Sequence, residues 1–183
     1  MKIIEHFLPH RPPVLMVESI IDYVGGDVPT LNAEYLIRGS EPVFSGAEQP
    51  LYWPSVYIIE GLGQSCTLMS FLWACERSGT AKKLESENVN PALMNLADAS
   101  NDDILKRFLR FLEEDTMKEV PQIGMLASVD VEVTGQVRSG ELLRYRVKQT
   151  RMFGALIHYA VQASVETRVI AQGTLVGAAF GGS

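Results

Sequence analysis

The chain has 183 residues, of which 46% are hydrophobic and 21% charged, and a formal net charge of −6. That make-up fits one globular domain with a substantial core, and the acidic balance, with no cluster of basic and aromatic residues, argues against a nucleic-acid surface. The opening stretch MKIIEHFLPHRPP carries an acid and two histidines where a signal peptide is continuously apolar, which predicts a cytoplasmic protein. Cys66 and Cys75 fall too far apart on one predicted helix for a disulfide and read as small core residues of a reducing compartment.

Residues 2–8 are expected to form one helical turn stopped by Pro9. Residues 14–23, rich in Val and Ile, read as a strand ended by Gly25 and Gly26, and residues 30–37 as a second. Residues 40–53 hold Pro42, Gly46 and Pro50 and read as a loop that aims the next element. That element is residues 54–77, where Glu60 is the sole charge before Glu76 and apolar residues occupy every side of the helical wheel. It is about as long as a membrane span. Glu60, Gln64 and the polar flanks favour instead a buried core helix, with Pro54 at its first position and one carboxylate facing the core. Gly61 and Gly63 would each cost such a helix about 1 kcal/mol relative to Ala, which implies close approach of another backbone.

Residues 79–121 change character, opening polar and then giving SNDDILKRFLRFLEEDTMKE. Ile104, Leu105, Phe108, Leu109, Phe111 and Leu112 follow helical spacing behind an N-cap at Ser100 or Asn101, so an inserted amphipathic helix is expected over 100–119. It needs a partner surface, as a lid over a tunnel or a wall between subunits. From Met125 the period becomes two. Ala127, Val129, Val131 and Val133 alternate with polar residues, as do Leu143, Tyr145 and Val147, then the odd positions from Ala155 to Val165, and residues 169–179 close the chain. Four such strands make an antiparallel sheet packed on one side. The whole reads as α+β, a single domain over 1–183 with a sheet curled around a central helix and a helical insertion at about 79–121.

Four groups of residues give this order a family. They are Leu8-Pro9-His10-Arg11-x-Pro13, Phe44-x-Gly46, Trp53-Pro54-x-Val56-x-Ile58-x-Glu60-x-x-x-Gln64, and Ala127-x-Val129-Asp130. Together they resemble the β-hydroxyacyl-acyl-carrier-protein dehydratases of fatty acid and polyketide pathways, over about three quarters of the chain. The resemblance implies the hotdog fold, a 3-hydroxyacyl thioester on acyl carrier protein or coenzyme A as substrate, a dimer, and neither cofactor nor metal. In that family a loop histidine and a helical glutamate share the proton transfers of dehydration across a dimer interface. By position Glu60 matches the helical acid and Gln64 the glutamine that orients it. Ser55 stands where a residue, usually glycine, offers its backbone N–H to the thioester carbonyl, and Val56, Ala47 and Ser128 fall at substrate-binding positions.

The sequence departs from the pattern at the loop. The family's Gly-His-Phe-Pro-Gly is here Gly46-Ala47-Glu48-Gln49-Pro50, one residue shorter before the helix and with Ala47 in the histidine's place. His10 matches the non-catalytic histidine of the Pro-His-Arg turn, and His6 and His158 read as structural or solvated. Three functions follow: a dehydratase-like subunit completed by a His-bearing paralogue in a heterodimer, a non-catalytic acyl-thioester binding protein, or a thioesterase in which Glu60 alone activates water or attacks. Glu48 is the alternative second group. Arg144, Arg146 and Lys148 share one strand face near Arg151, either as a docking patch for an acidic carrier or as a solvated face. No membrane and no nucleic acid partner is expected.

Overall fold

Alternating strands of opposite period-two polarity need a single buried face, and a charge-poor helix supplies the surface they close on. In the computed structural model, which describes residues 8–77 and 122–180, six strands form one sheet around one helix. The strands are β1 (Ser19–Val24), β2 (Thr30–Leu36), β3 (Gln122–Val133), β4 (Leu142–Phe153), β5 (Leu156–Val165) and β6 (Arg168–Phe180). Their order is β1-β2-β4-β5-β6-β3, and every neighbouring pair is antiparallel. The helix α1 (Ser55–Arg77) runs across the inner face of the sheet. Two strands precede it and four follow it, as the sequence predicts. All but Leu8 of the turn expected over residues 2–8, and the whole helix expected over 100–119, lie outside the described residues.

The core forms where the inward positions meet α1. Leu31, Ala33 and Tyr35 from β2, Leu143, Tyr145 and Val147 from β4, and Tyr159 and Val161 from β5 pack with Ile58, Leu62, Leu68 and Met69. Each large apolar side chain buried this way contributes roughly 1.5–3 kcal/mol. Two hydroxyls within this layer are paired, Ser70 with Tyr159 at 2.6 Å and Ser65 with the Gly61 carbonyl at 2.7 Å. Burial pushes the Cys66 thiol well above its usual range, so it stays a neutral core residue. Among the described residues no helix is long and apolar enough to cross a membrane.

The two helix glycines have different settings, and neither matches the expected backbone approach. Gly61 faces the phenol of Tyr145, and a Cβ built there would overlap its Cζ and hydroxyl oxygen. At Gly63 no described atom lies within 4 Å of such a Cβ. Gly61→Ala should therefore lower the free energy of unfolding by about 1–3 kcal/mol through overpacking. Gly63→Ala should instead be neutral or add up to about 1 kcal/mol of helix propensity. Urea denaturation of both variants checks this, and equal effects would contradict the Tyr145 contact.

Both ends of α1 are tied to loops. Trp53, just before it, packs against Tyr35, Phe44 and Tyr57 with ring centroids 5.7, 5.8 and 5.1 Å away, and its backbone N–H donates to the Val137 carbonyl at 2.8 Å. At the far end Glu76 accepts from the Tyr23 hydroxyl at 3.0 Å and the Gly26 N–H at 3.1 Å. The Trp73 indole N–H donates to the Gly26 carbonyl at 3.1 Å. The helix is thus tied at one end to β2 and the preceding loop, and at the other to β1 and the turn that follows it.

Candidate active site

Glutamine can donate and accept at once, and Gln64 does both from the buried middle of α1. Its Oε1 accepts from the Met16 N–H at 2.8 Å, and its Nε2 donates to the Val14 carbonyl at 2.7 Å. These two bonds hold residues 14–16 against the helix and fix which way the amide points. The same Nε2 donates to Glu60 Oε1 at 2.9 Å, one helical turn earlier. Gln64→Leu keeps the volume but leaves the Met16 N–H and Val14 carbonyl unpaired. It should cost about 1–3 kcal/mol for each group orphaned, read as a fall in the denaturant midpoint; an unchanged midpoint would show the bonds to be dispensable.

Glu60 is not in the core, contrary to the sequence expectation. Its side chain is 42% exposed. The helix has a face that the described residues leave open, on which Val56, 63% exposed, precedes Glu60 by one turn and Gly63 follows. Apolar residues on that face gave the stretch its all-round hydrophobic look.

A second group meets Glu60 from the N-terminal turn. Leu8 is buried, and Arg11 donates to the Leu8 and His10 carbonyls at 2.9 and 2.8 Å, which ties the turn into a fixed shape. That turn carries His10 to Glu60, with Nε2 3.3 Å from Oε1. Its other nitrogen, Nδ1, is buried and has no hydrogen-bond partner. Beneath the helix the Tyr145 hydroxyl is also buried and unpartnered. Burial first, then the nearby Tyr35 and Glu60, push this phenol far above its usual range, so it stays neutral.

The remaining candidates lie on α1, on the loop before it and on β3. Ser55 and Val56 occupy the exposed first turn of α1, about 6–7.5 Å along the axis from Glu60. Ala47 lies in the exposed loop, its N–H donating to the Phe44 carbonyl at 3.0 Å. Glu48 is exposed in the same loop. Ser128 sits on β3, opposite Val176 of β6. Residues 126–130 of β3 are all exposed, and among the described residues β3 ends the sheet with only β6 beside it. A cavity of about 230 Å³ opens one turn before Glu60, lined by Pro13, Glu41, Pro42, Val43, Trp53 and Tyr57. Among the described residues no group of three His, Cys, Asp or Glu stands close enough to hold a metal ion.

The basic strand face is mixed rather than cationic. Arg144 stands opposite Glu34 of β2, and Arg146 and Lys148 line a shallow groove with Asp130 and Glu132.

Comparison with known proteins gives the arrangement a family. The chain is 31% identical over 141 residues to the 3-hydroxyacyl-acyl-carrier-protein dehydratase FabZ of Shewanella pealeana, a match covering 72% of this chain and 80% of that one. The chain belongs to this dehydratase family. The FabZ of Nitratiruptor sp. is 37% identical over 82 residues, 44% of this chain and 53% of that protein, so the chain spans about half the length of this relative. No family model matches the chain. Among solved structures, the dehydratase heterocomplex ApeI:P from Xenorhabdus doucetiae superposes with a TM-score of 0.57 at 14% identity, over 97% of this chain and 90% of that one. That likeness is one of fold, and the architecture is the hotdog fold.

Within the dehydratase family frame, the sequence placed Glu60 and Gln64 together. It did not bring in His10, which lies 50 residues from Glu60 in the chain, counting 60 − 10. Its signal was present only as membership of the Pro-His-Arg turn.

Proposed function

We infer that this chain acts on 3-hydroxyacyl thioesters as a dehydratase-type subunit, with Glu60 as one proton-transferring group and a histidine from a paralogous partner as the other. The observation that carries this reading is the state of Glu60. One carboxyl oxygen is held by an amide that is itself pinned on two sides, and the carboxyl is open to an incoming ligand. Dehydration needs a group that takes the α-proton and a group that protonates the departing hydroxyl. Glu60 supplies one of the two, and Ala47 in the loop supplies neither.

The same geometry favours a site shared by two subunits. Among the described residues β3 presents an unpaired edge with Leu126 and Val129 nearly half exposed, beside a helix face that carries exposed Val56. An open edge strand flanked by apolar surface pairs readily with another chain. Edge-to-edge joining at β3 would unite Ser128, the first turn of α1 and a partner's loop in one site. The membership in the FabZ family supports an acyl thioester as ligand, on acyl carrier protein or coenzyme A.

The test is coexpression with a paralogue that keeps the Gly-His-Phe-Pro-Gly loop, followed by copurification and mass measurement of the complex. A one-to-one heterodimer is expected. A homodimer that ignores the paralogue and turns over 3-hydroxyacyl thioesters at full rate would contradict the reading.

A further inference from the structure

Two nitrogen atoms converge on one oxygen of Glu60. Gln64 Nε2 reaches Oε1 at 2.9 Å, and His10 Nε2 stands 3.3 Å from the same atom. Among the described residues no hydrogen bond or ion pair engages the other oxygen, Oε2. The rest of the imidazole decides what His10 can do. Nδ1 is buried without a partner, so no substrate can reach it. Nε2 is turned toward Glu60. The ring therefore has no free nitrogen to offer an acyl thioester, and the loop histidine has no direct replacement in His10.

We propose that His10 is a positioning residue, which with Gln64 fixes Glu60 Oε1 and so presents Oε2 alone to the reacting thioester. This rests on the reading of Glu60 as a dehydration carboxylate. A proton on Nε2 lets the ring donate toward the carboxylate, whereas a proton on Nδ1 would be a buried donor without a partner. At 3.3 Å the two atoms are within ion-pair range, and catalytic hydrogen bonds that are long in a free site commonly tighten once substrate is bound. The turn is built to hold this position: Leu8 anchors it in the core, and the Arg11 guanidinium closes it by bonding the carbonyls of Leu8 and His10.

Two readouts test the role. In the first, the imidazole ¹⁵N spectrum of the full chain is compared with those of Glu60→Gln and His10→Ala. His10 is expected in the Nε2–H form, with a signal that moves in Glu60→Gln. A ring exchanging freely between tautomers and indifferent to Glu60→Gln overturns the proposal whatever the activity. In the second, hydration of a crotonyl thioester of acyl carrier protein is followed with the chain and its His-bearing partner together. His10→Ala should lower kcat about 10- to 100-fold with KM little changed, the loss expected for one hydrogen bond to a charged group. His10→Gln, which restores an N–H at similar reach, should recover most of it. Full activity in His10→Ala, or no rescue by His10→Gln, overturns the positioning role. Full activity in Glu60→Gln would overturn the functional reading of Glu60 instead, while the spectrum still reports the contact.

Discussion

On the proposed role of Glu60, Glu60→Gln should lower dehydration turnover about 10²- to 10⁴-fold, the range that a general acid or base contributes, while leaving the fold intact. The variant is close to isosteric and keeps an acceptor for the Gln64 amide, so the bonds that tie residues 14–16 to the helix remain. Glu60 is also half exposed, and substitutions at such positions usually change stability by no more than about 0.5 kcal/mol. The fall should appear in kcat and in kcat/KM alike, since the lost interaction belongs to the transition state. Steady-state rates with a 3-hydroxyacyl thioester, read beside a urea melt, make the separation. A variant that loses activity only as it unfolds would show Glu60 to be structural.

The second large effect concerns the chain without a partner. With Ala47 where the family has its loop histidine, one proton-transfer group is missing, and the isolated protein should turn over 3-hydroxyacyl thioesters about 10²- to 10⁴-fold more slowly than the complex with a His-bearing subunit. The His10 ring does not fill the gap, because its nitrogens are either buried or directed at Glu60. Glu48 is exposed on the loop, and Glu48→Gln should leave the residual rate unchanged. Ordinary turnover by the chain alone that vanishes in Glu48→Gln would place the second group there.

Much of the architecture was legible because strands and helix differ in period. Alternation marked β5 to within a residue and β4 only over residues 143–148, short of its end at Phe153, and the run of residues with one charge marked α1, which starts at Ser55 rather than Pro54. The first strand begins later than its composition suggests. Residues 14–16 are Val- and Leu-rich because they cover the helix, and their backbone groups bond the Gln64 side chain instead of a neighbouring strand. Glu60 was misplaced for a related reason. Hydrophobicity on all sides of a helix does not separate a core face from an open face, and Val56 and Gly63 lie on the open one. Gly61 could be read as a close approach, but that the approaching group is the Tyr145 phenol depends on sheet register, which no local pattern encodes. The family motifs placed Glu60 beside Gln64 since four residues span one turn. His10 comes to the same oxygen through the tertiary path of the N-terminal turn, which sequence distance conceals.

The most direct test of the two-subunit site is a cross-complementation assay. The chain and a His-bearing paralogue are combined as four complexes, with Glu60→Gln on this chain, with the loop histidine of the paralogue replaced, with both changes, and with neither. To isolate the mixed site, the paralogue's own helical glutamate is replaced in all four. If Glu60 and the partner's histidine form one site, only the unchanged pair turns over 3-hydroxyacyl thioesters, and the double variant is no slower than either single one. Full activity in the complex carrying Glu60→Gln would contradict the account.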